Sequence, residues 1–245
     1  MEFFDCNCWF GVPAVPPLRF PEKVDELLEE MSFCGVSQAL VYHVSERDDS
    51  PLVGNQVLIQ EIEGRPGLYP VWAILPSVTG EQESPDKFVA RMKENSVMVL
   101  RAFPAQHKYL LNANTFGPLF EVMVQKNIPL IVGADWSLIT GLLEDFPRLT
   151  LIAISSNPWG QDRYFRPLIE KYPNLYLDTS RYELDWGLKA FCNKYGPERM
   201  LFGTGFPDFN MGGPILTLLQ TDIPDEYKAA IGSENLKRLL RGVRL

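Results

Sequence analysis

The chain has 245 residues, of which 46% are hydrophobic and 22% charged, so it is long enough to bury a large core as a single domain, residues 1–245. Its net charge of −8 argues against nucleic acid and membrane partners, because anionic nucleic acids and lipids bind clustered Lys and Arg side chains. A small-molecule ligand is expected instead, and self-association into a homo-oligomer stays open.

The four Cys residues have neither the spacing of a zinc ribbon nor that of a secreted disulfide scaffold. No basic segment followed by an apolar segment opens the sequence, as it would in a signal peptide. We therefore expect a cytoplasmic protein with reduced thiols.

Apolar runs and amphipathic stretches alternate along the chain. The apolar runs predict eight strands, at 3–9, 38–43, 68–75, 97–103, 129–132, 149–154, 175–178 and 200–204. Helical spacing of apolar residues predicts helices at 22–31, near 57–62, at 85–94, 115–126, near 138–143, around Phe165, Leu168 and Ile169, around Leu184, Leu188, Phe191 and Cys192, and at 229–240.

Most of the predicted strands are continuous apolar runs rather than alternating patterns. This is typical of a parallel sheet that helices cover. Eight such units favour an α/β fold of the closed (β/α)8 type, the TIM barrel. A doubly wound open sheet is the structural alternative.

The first predicted strand carries polar residues that we expect to face the barrel interior. Strict alternation along a strand places Phe3, Asp5, Asn7 and Trp9 on that face and Phe4, Cys6 and Cys8 on the opposite one. The two cysteines are therefore interpreted as small apolar residues that face the covering helices.

Three segments of the chain carry a family pattern. They are LLEEMSFCGV at 27–36 followed by the strand 38–41, RMLFGTGFP at 199–207, and GSENLKRLL at 232–240. In order, they resemble the first helix and second strand, the eighth strand, and the closing helix of the amidohydrolase-related proteins. That superfamily contains metal-dependent hydrolases and aryl-acid decarboxylases on a TIM barrel, and the resemblance implies this fold for nearly the whole chain.

The resemblance also implies where a metal would be bound. Those relatives hold a divalent metal with a His-X-His pair on the first strand, one His after each of the fifth and sixth strands, and an Asp that ends the eighth. The matching positions here are Asn7, Trp9, Gly133, Ser155 and Gly205, which do not form a plausible zinc ligand set. The whole chain contains two His, so no four-His site can form. We expect no metal and no other cofactor, and we expect Trp9 to fill the vacated volume.

The candidate site residues lie at or just beyond the carboxyl ends of predicted strands, where TIM-barrel enzymes carry their active sites. Candidate substrate-binding residues are Asp5, Asn7, Trp9, Arg101, Trp136, Ser155, Asn157, Asp178 and Thr204. Candidate catalytic residues are His43, Asp135 and Asp208.

Two of these candidates have a definite chemistry. Arg101 can bind a carboxylate through two parallel hydrogen bonds, the alternative being an ion pair with a neighbouring Asp. His43 can act as a general base near neutral pH, the alternative being a hydrogen-bonded structural residue. Aromatic residues beyond the strand ends, such as Trp136, indicate either a packed lid or a pocket for a flat apolar ligand.

Two classes of function follow. The first is a barrel without the metal site that binds a small carboxylate or aromatic molecule and catalyses nothing. The alternative is a metal-independent hydrolase or lyase that acts on a carboxylate-bearing small molecule such as a lactone. In that case Arg101 would orient the substrate, and an Asp or His43 would position water or take a proton.

Overall fold

The computed structural model describes residues 1–157, 159–182 and 186–245. Its eight strands form one parallel sheet whose spatial order is the order of the sequence. The strands are β1 Phe4–Phe10, β2 Gln38–His43, β3 Leu68–Ala73, β4 Val99–Arg101, β5 Leu130–Gly133, β6 Leu151–Ile154, β7 Leu175–Asp178 and β8 Met200–Leu201.

Helices connect the strands and cover the outside of the sheet. They are α1 Val24–Cys34, α2 Ser45–Asp48, α3 Pro51–Ile62, α4 Pro85–Glu94, α5 Pro104–His107, α6 Ala113–Lys126, α7 Trp136–Asp145, α8 Asp162–Lys171, α9 Gly187–Tyr195, α10 Gly212–Gln220, α11 Asp225–Ala229 and α12 Asn235–Arg241. A 3₁₀ turn, Ser77–Thr79, precedes α4, and a π-helical segment, Ala230–Glu234, joins α11 to α12.

Backbone hydrogen bonds join β1 to the segment that begins with β8. Cys6 N donates to Phe202 O at 2.9 Å, and Gly205 N donates to Asn7 O at 2.9 Å. These bonds close the sheet, which an open doubly wound sheet would not do. The predicted (β/α)8 barrel is confirmed, and the doubly wound alternative is wrong.

All eight predicted strands occur, with ends that differ by a few residues. The helices predicted through 229–240 are the end of α11 and most of α12, with the π-helical segment between them. The predicted helix around Leu188 begins at Gly187, while Leu184 lies outside the described residues. Across the described part of the chain, no helix is long and apolar enough to cross a membrane. That residues 1–245 form a single domain stays an expectation.

The buried apolar residues form two clusters, one on each side of the sheet. The outer cluster joins the sheet to the helices and includes Val41, Leu100 and Phe120. The inner cluster fills the barrel; from the strands it contains Phe4, Cys6, Trp9, Leu40, Tyr42, Val71, Ala73, Val99, Ile131, Ile152, Ile154 and Leu201. The barrel is thus a packed core, and a ligand can enter only at its ends.

A β-bulge in β1 changes which of its residues face inward. Asp5 pairs with Ala39 and Cys8 pairs with Val41, so β1 advances three residues while β2 advances two. The extra residue reverses the alternation of side chains beyond it. The strict alternation expected for β1 is therefore wrong for its first half, where Phe3 belongs to the outer cluster and Phe4 and Cys6 to the inner one.

Side-chain caps fix the starts of α6 and α7. Asn112 Oδ1 accepts from Thr115 N at 3.1 Å at the start of α6, and Asp135 Oδ1 accepts from Leu138 N at 3.0 Å at the start of α7. Each cap satisfies a backbone N–H that the first helical turn leaves unpaired. The cap on α7 holds Asp135 at the carboxyl end of the barrel.

Candidate functional site

A cavity of about 440 Å³ opens at the carboxyl ends of β2, β4, β5 and β6. Its polar lining includes Tyr42, Arg47, Arg101, Gln106, Asp135 and Asp208. Its apolar walls include Ala102, Phe103, Leu111, Val132, Leu138 and Ile154. An apolar pocket with a few convergent polar groups is the usual form of a small-molecule site. We call it the mouth cavity.

Arg101 places a buried guanidinium against the mouth cavity. The residue is 8% exposed, and its Nη1 donates to Asn7 Oδ1 at 3.0 Å. The guanidinium carbon lies 4.3 Å from the ring centroid of Tyr42 and 5.1 Å from that of Phe103. Among the residues that the structure describes, no carboxylate forms an ion pair with Arg101. The alternative interpretation of Arg101, an ion pair with a neighbouring Asp, is therefore not what the structure contains.

A chain of hydrogen bonds runs from Arg101 into the barrel. Asn7 accepts from Arg101 through Oδ1 and donates through Nδ2 to Asp178 Oδ2 at 3.2 Å. Asp178 Oδ1 accepts from Ser155 N at 2.8 Å. Burial raises the pKa of the Asp178 carboxyl group to about 6, although these hydrogen bonds oppose the rise. Asp178 therefore changes its protonation just below neutral pH.

Trp9 supports two charged residues of the mouth cavity. The indole is 1% exposed, and its Nε1 donates to Asp208 Oδ2 at 2.9 Å. The Arg47 guanidinium lies 4.8 Å from the centroid of the Trp9 ring, a cation–π contact. Arg47 also bonds both oxygens of Asp48, at 2.7 and 3.1 Å, and its Nη1 lies 3.9 Å from Asp208 Oδ2.

Asp5 and Thr204 form a buried contact between β1 and the segment after β8. Asp5 Oδ1 accepts from Thr204 N at 3.0 Å and from Asn7 N at 2.9 Å, and Oδ2 accepts from the Thr204 hydroxyl group. Burial raises the pKa of Asp5. Both residues lie outside the lining of the mouth cavity, and their role in ligand binding stays a prediction.

His43 lies at the end of β2, outside that lining. Its Nδ1 lies 2.6 Å from Ser45 Oγ and accepts from Ser45 N at 3.3 Å, and its ring packs edge-on against Phe10. Burial lowers the pKa of His43, which favours the neutral ring. Its role as a general base stays a prediction.

Three further candidates make hydrogen bonds away from the mouth cavity. Trp136 Nε1 donates to Gln161 Oε1 at 3.0 Å, and Asn157 Oδ1 accepts from Trp159 N at 3.0 Å. Ser155 has a positive φ of 58°, and its backbone N–H points to Asp178. None of the three lines the mouth cavity. Asp135 and Asp208, in contrast, do line it.

A family model named Amidohydrolase matches residues 8–242. The chain belongs to the amidohydrolase family. This confirms the resemblance carried by the three sequence segments. No curated protein matches the chain.

Solved structures support the same fold. An uncharacterised TIM-barrel protein from Bordetella bronchiseptica is 19% identical over 99% of both chains, with a TM-score of 0.72. The 5-carboxyvanillate decarboxylase of Sphingomonas paucimobilis is 14% identical over 98% of this chain and 99% of that one, with a TM-score of 0.72. The 2,6-dihydroxybenzoate decarboxylase of Rhizobium is 15% identical over 98% of both, with a TM-score of 0.71. At these identities the likeness establishes the shared barrel fold.

The amidohydrolase metal positions on β1 do not fit a divalent cation in this chain. The Asn7 amide is bonded to the Arg101 guanidinium and to Asp178, and the indole N–H of Trp9 donates to Asp208. An indole N–H has no lone pair to offer a metal. A fixed positive charge beside Asn7 further opposes a second cation there.

The family position at the end of β8 does not fit either. Gly205 has a φ of 67°, and a Cβ there would lie 2.8 Å from Phe209 Cδ2, so an Asp would be strained and crowded. Within the described ranges, no group of three or more His, Cys, Asp or Glu is placed to hold a metal. That the purified protein contains no metal stays a prediction.

The lining residues that were not sequence candidates include Tyr42, Arg47, Phe103 and Gln106. Tyr42 and Phe103 could have been found, because each shares an inward face with a strand residue two positions earlier, Leu40 and Arg101. Arg47 and Gln106 could not, because α2 and α5 are single turns without a periodic pattern.

Proposed function

We propose that this amidohydrolase-family barrel binds a small carboxylate, aromatic or otherwise apolar in its body, in the mouth cavity. The observation that carries the proposal is the Arg101 guanidinium, which is buried against the cavity and forms no ion pair with a carboxylate among the described residues. A buried cation without a partner is destabilising. An anionic ligand would supply that partner.

The orientation of Arg101 suits this role. Guanidinium nitrogens donate in the plane of the group, whereas the Tyr42 and Phe103 rings pack near it as cation–π partners. Only Nη1 of Arg101 donates to a described protein atom, the Asn7 oxygen. The remaining N–H groups are available for a carboxylate, which a guanidinium can bind through two parallel hydrogen bonds.

The ligands named for two similar structures support the same class. Carboxyvanillate and dihydroxybenzoate are aromatic carboxylates, and the proteins that act on them share this barrel. The rings of Tyr42 and Phe103 and the apolar walls of the mouth cavity would accommodate such a ring.

Isothermal titration with benzoate tests the proposal. Arg101→Met removes the charge and should weaken binding about 10- to 100-fold, the loss of one or two charge-assisted hydrogen bonds. Arg101→Lys keeps the positive charge but loses the planar pair of N–H donors, and it should give an intermediate affinity. Arg65→Met is the matched control, because Arg65 pairs with the exposed Asp25 away from the cavity. Equal affinity in the Arg101→Met variant, or no binding by the wild type, would exclude the proposal.

A second candidate is metal-independent hydrolysis or lyase chemistry on a carboxylate-bearing substrate such as a lactone. It is favoured by Asp208, whose carboxylate lines the same cavity as Arg101. In lactone hydrolysis Asp208 would take a proton from the attacking water while the ring C–O bond breaks, and the proton would pass to the leaving oxygen. Turnover of lactones or aryl acids that is lost in Asp208→Asn would support it. Turnover equal in the variant and the wild type would exclude this role.

A further inference from the structure

We infer that the ligand is zwitterionic: an amino acid whose ammonium group is separated from its carboxylate by an apolar spacer. This inference rests on the proposed function, because Arg101 must receive the carboxylate. It goes further by assigning the opposite end of the ligand to Asp208 and Asp135.

The mouth cavity carries positive and negative charges at different depths, an arrangement that we call its charge layering. Its buried side presents the Arg101 guanidinium, 8% exposed. Its rim presents the exposed Asp135 and the side chain of Asp208, which is 49% exposed. A ligand that reaches Arg101 therefore passes, or remains beside, two carboxylates.

Asp208 is held in place but keeps acceptor capacity. Its Oδ2 accepts from Trp9 Nε1 at 2.9 Å, which fixes the carboxylate at the rim. Among the described residues Oδ1 accepts no hydrogen bond. Arg47 forms only a long ion pair with Asp208, Nη1 to Oδ2 at 3.9 Å, because that guanidinium bonds both oxygens of Asp48.

Asp135 has the same pattern. Its Oδ1 accepts from Leu138 N at 3.0 Å as the cap of α7, and Oδ2 accepts no hydrogen bond within the described part of the chain. Two fixed carboxylates, each with one free oxygen, therefore line the cavity that Arg101 closes from below. An ammonium group donates three hydrogen bonds and matches such acceptors.

Charge balance points to the same ligand. Arg47 and Arg101 are opposed in the lining by Asp135 and Asp208, and Asp48 is bonded to Arg47. A simple monoanion would gain at Arg101 and be repelled at the rim, whereas an ammonium group removes that repulsion. Leu111, Val132, Leu138 and Ile154 provide apolar wall between, which suits an apolar spacer.

Matched ligand pairs test the inference by isothermal titration at low ionic strength. 4-(Aminomethyl)benzoate and 4-ethylbenzoate have the same shape and differ by an ammonium in place of a methyl group; 6-aminohexanoate and heptanoate form a flexible pair. In at least one pair the amino compound should bind about tenfold more tightly, as expected for a charge-assisted hydrogen bond.

Substitutions of Asp208 and Asp135 then test whether these rim carboxylates cause the preference for the amino compound. Asp208→Asn keeps an acceptor for Trp9, and Asp135→Asn keeps the helix cap, because Asn caps as well as Asp does. Either or both variants should lose the preference and bind the alkyl compounds as well as or better than the wild type. Asp222→Asn makes the same change of net charge at an exposed residue paired with Lys189 and should change neither ligand.

The outcomes separate the two proposals. If the alkyl carboxylates bind in an Arg101-dependent way and the amino compounds gain nothing, the zwitterion inference is wrong and the carboxylate proposal stands. A preference that survives both rim variants also overturns the inference. If neither member of either pair binds, both proposals are wrong.

Discussion

Asn7 and Trp9 lie where the resemblance of this chain to the amidohydrolase family would place a pair of histidines, and each is bonded to a charged neighbour. Asn7 receives a hydrogen bond from Arg101, and Trp9 donates one to Asp208. At the scale of single residues, the buried positive charge of this barrel mouth is the Arg101 guanidinium on β4. This residue choice fits binding of a carboxylate through hydrogen bonds.

The burial of Trp9 predicts a large effect of truncation. Trp9→Ala should lower the free energy of unfolding by about 3–5 kcal/mol, because burial is lost and a cavity remains. Trp159→Ala is the control: Trp159 is 67% exposed and should change stability by less than about 0.5 kcal/mol. Denaturant unfolding measures both. Similar small effects in the two variants would show that Trp9 is not part of the core.

Asp178 predicts a specific pH dependence of stability. Its pKa is raised from 3.8 to about 6 by burial, so the folded state binds the proton more tightly than the unfolded state. The stabilisation is present below about pH 4 and is lost as the pH rises to about 6. Asn cannot lose this proton, so the free energy of unfolding of Asp178→Asn, relative to that of the wild type, should increase by up to about 3 kcal/mol between pH 4 and pH 7. A difference that does not change with pH would contradict this.

At the scale of elements, the β-bulge in β1 decides which side chains reach the interior. The extra residue between Asp5 and Cys8 brings both Cys6 and Asn7 to the inner side, which strict alternation cannot do. Alternation alone correctly placed Asn7 and Trp9 inward but placed Cys6 outward. A bulge depends on pairing with β2 and β8, so one strand's sequence does not reveal it.

The hydrogen bonds of the Asp5 carboxylate lead to a prediction about how much they stabilise the bulged part of β1. Asp5→Ala would leave the buried N–H groups of Asn7 and Thr204 unpaired and should lower the free energy of unfolding by about 2–5 kcal/mol. Asp5→Asn keeps one acceptor oxygen and should lose less. Chemical denaturation of both variants tests this, and equal losses would mean that the hydrogen bonds are not the cause.

At the scale of the whole molecule, the barrel was predictable because most of its eight buried strands are continuous apolar runs separated by amphipathic helices. The position of Arg101 at the barrel mouth was predictable because this residue ends a strand. Arg47 and its contact with Trp9 were not, because they depend on how a single-turn helix packs across the mouth. The charge layering of the mouth cavity likewise arises from residues distant in sequence.

The residues at the family's metal positions lead to a prediction about the metal content of the purified protein. Asn7 and Trp9 are hydrogen-bonded to protein side chains, and an Asp at position 205 would clash with Phe209. We therefore expect far less than one equivalent of divalent metal in the protein purified without chelators. Elemental analysis measures this. The double variant Asn7→His/Trp9→His should not gain metal, because the other family ligands are missing. About one equivalent of zinc, manganese or iron bound within the wild-type barrel would contradict the prediction.

We propose that Arg101 receives the carboxylate of a ligand in the mouth cavity, and a crystal structure of the protein with benzoate tests this proposal. We expect the two carboxylate oxygens to lie about 2.7–2.9 Å from nitrogens of the Arg101 guanidinium, with the ring between the apolar walls. Benzoate bound elsewhere, or a mouth cavity without benzoate at saturating concentration, would contradict the claim.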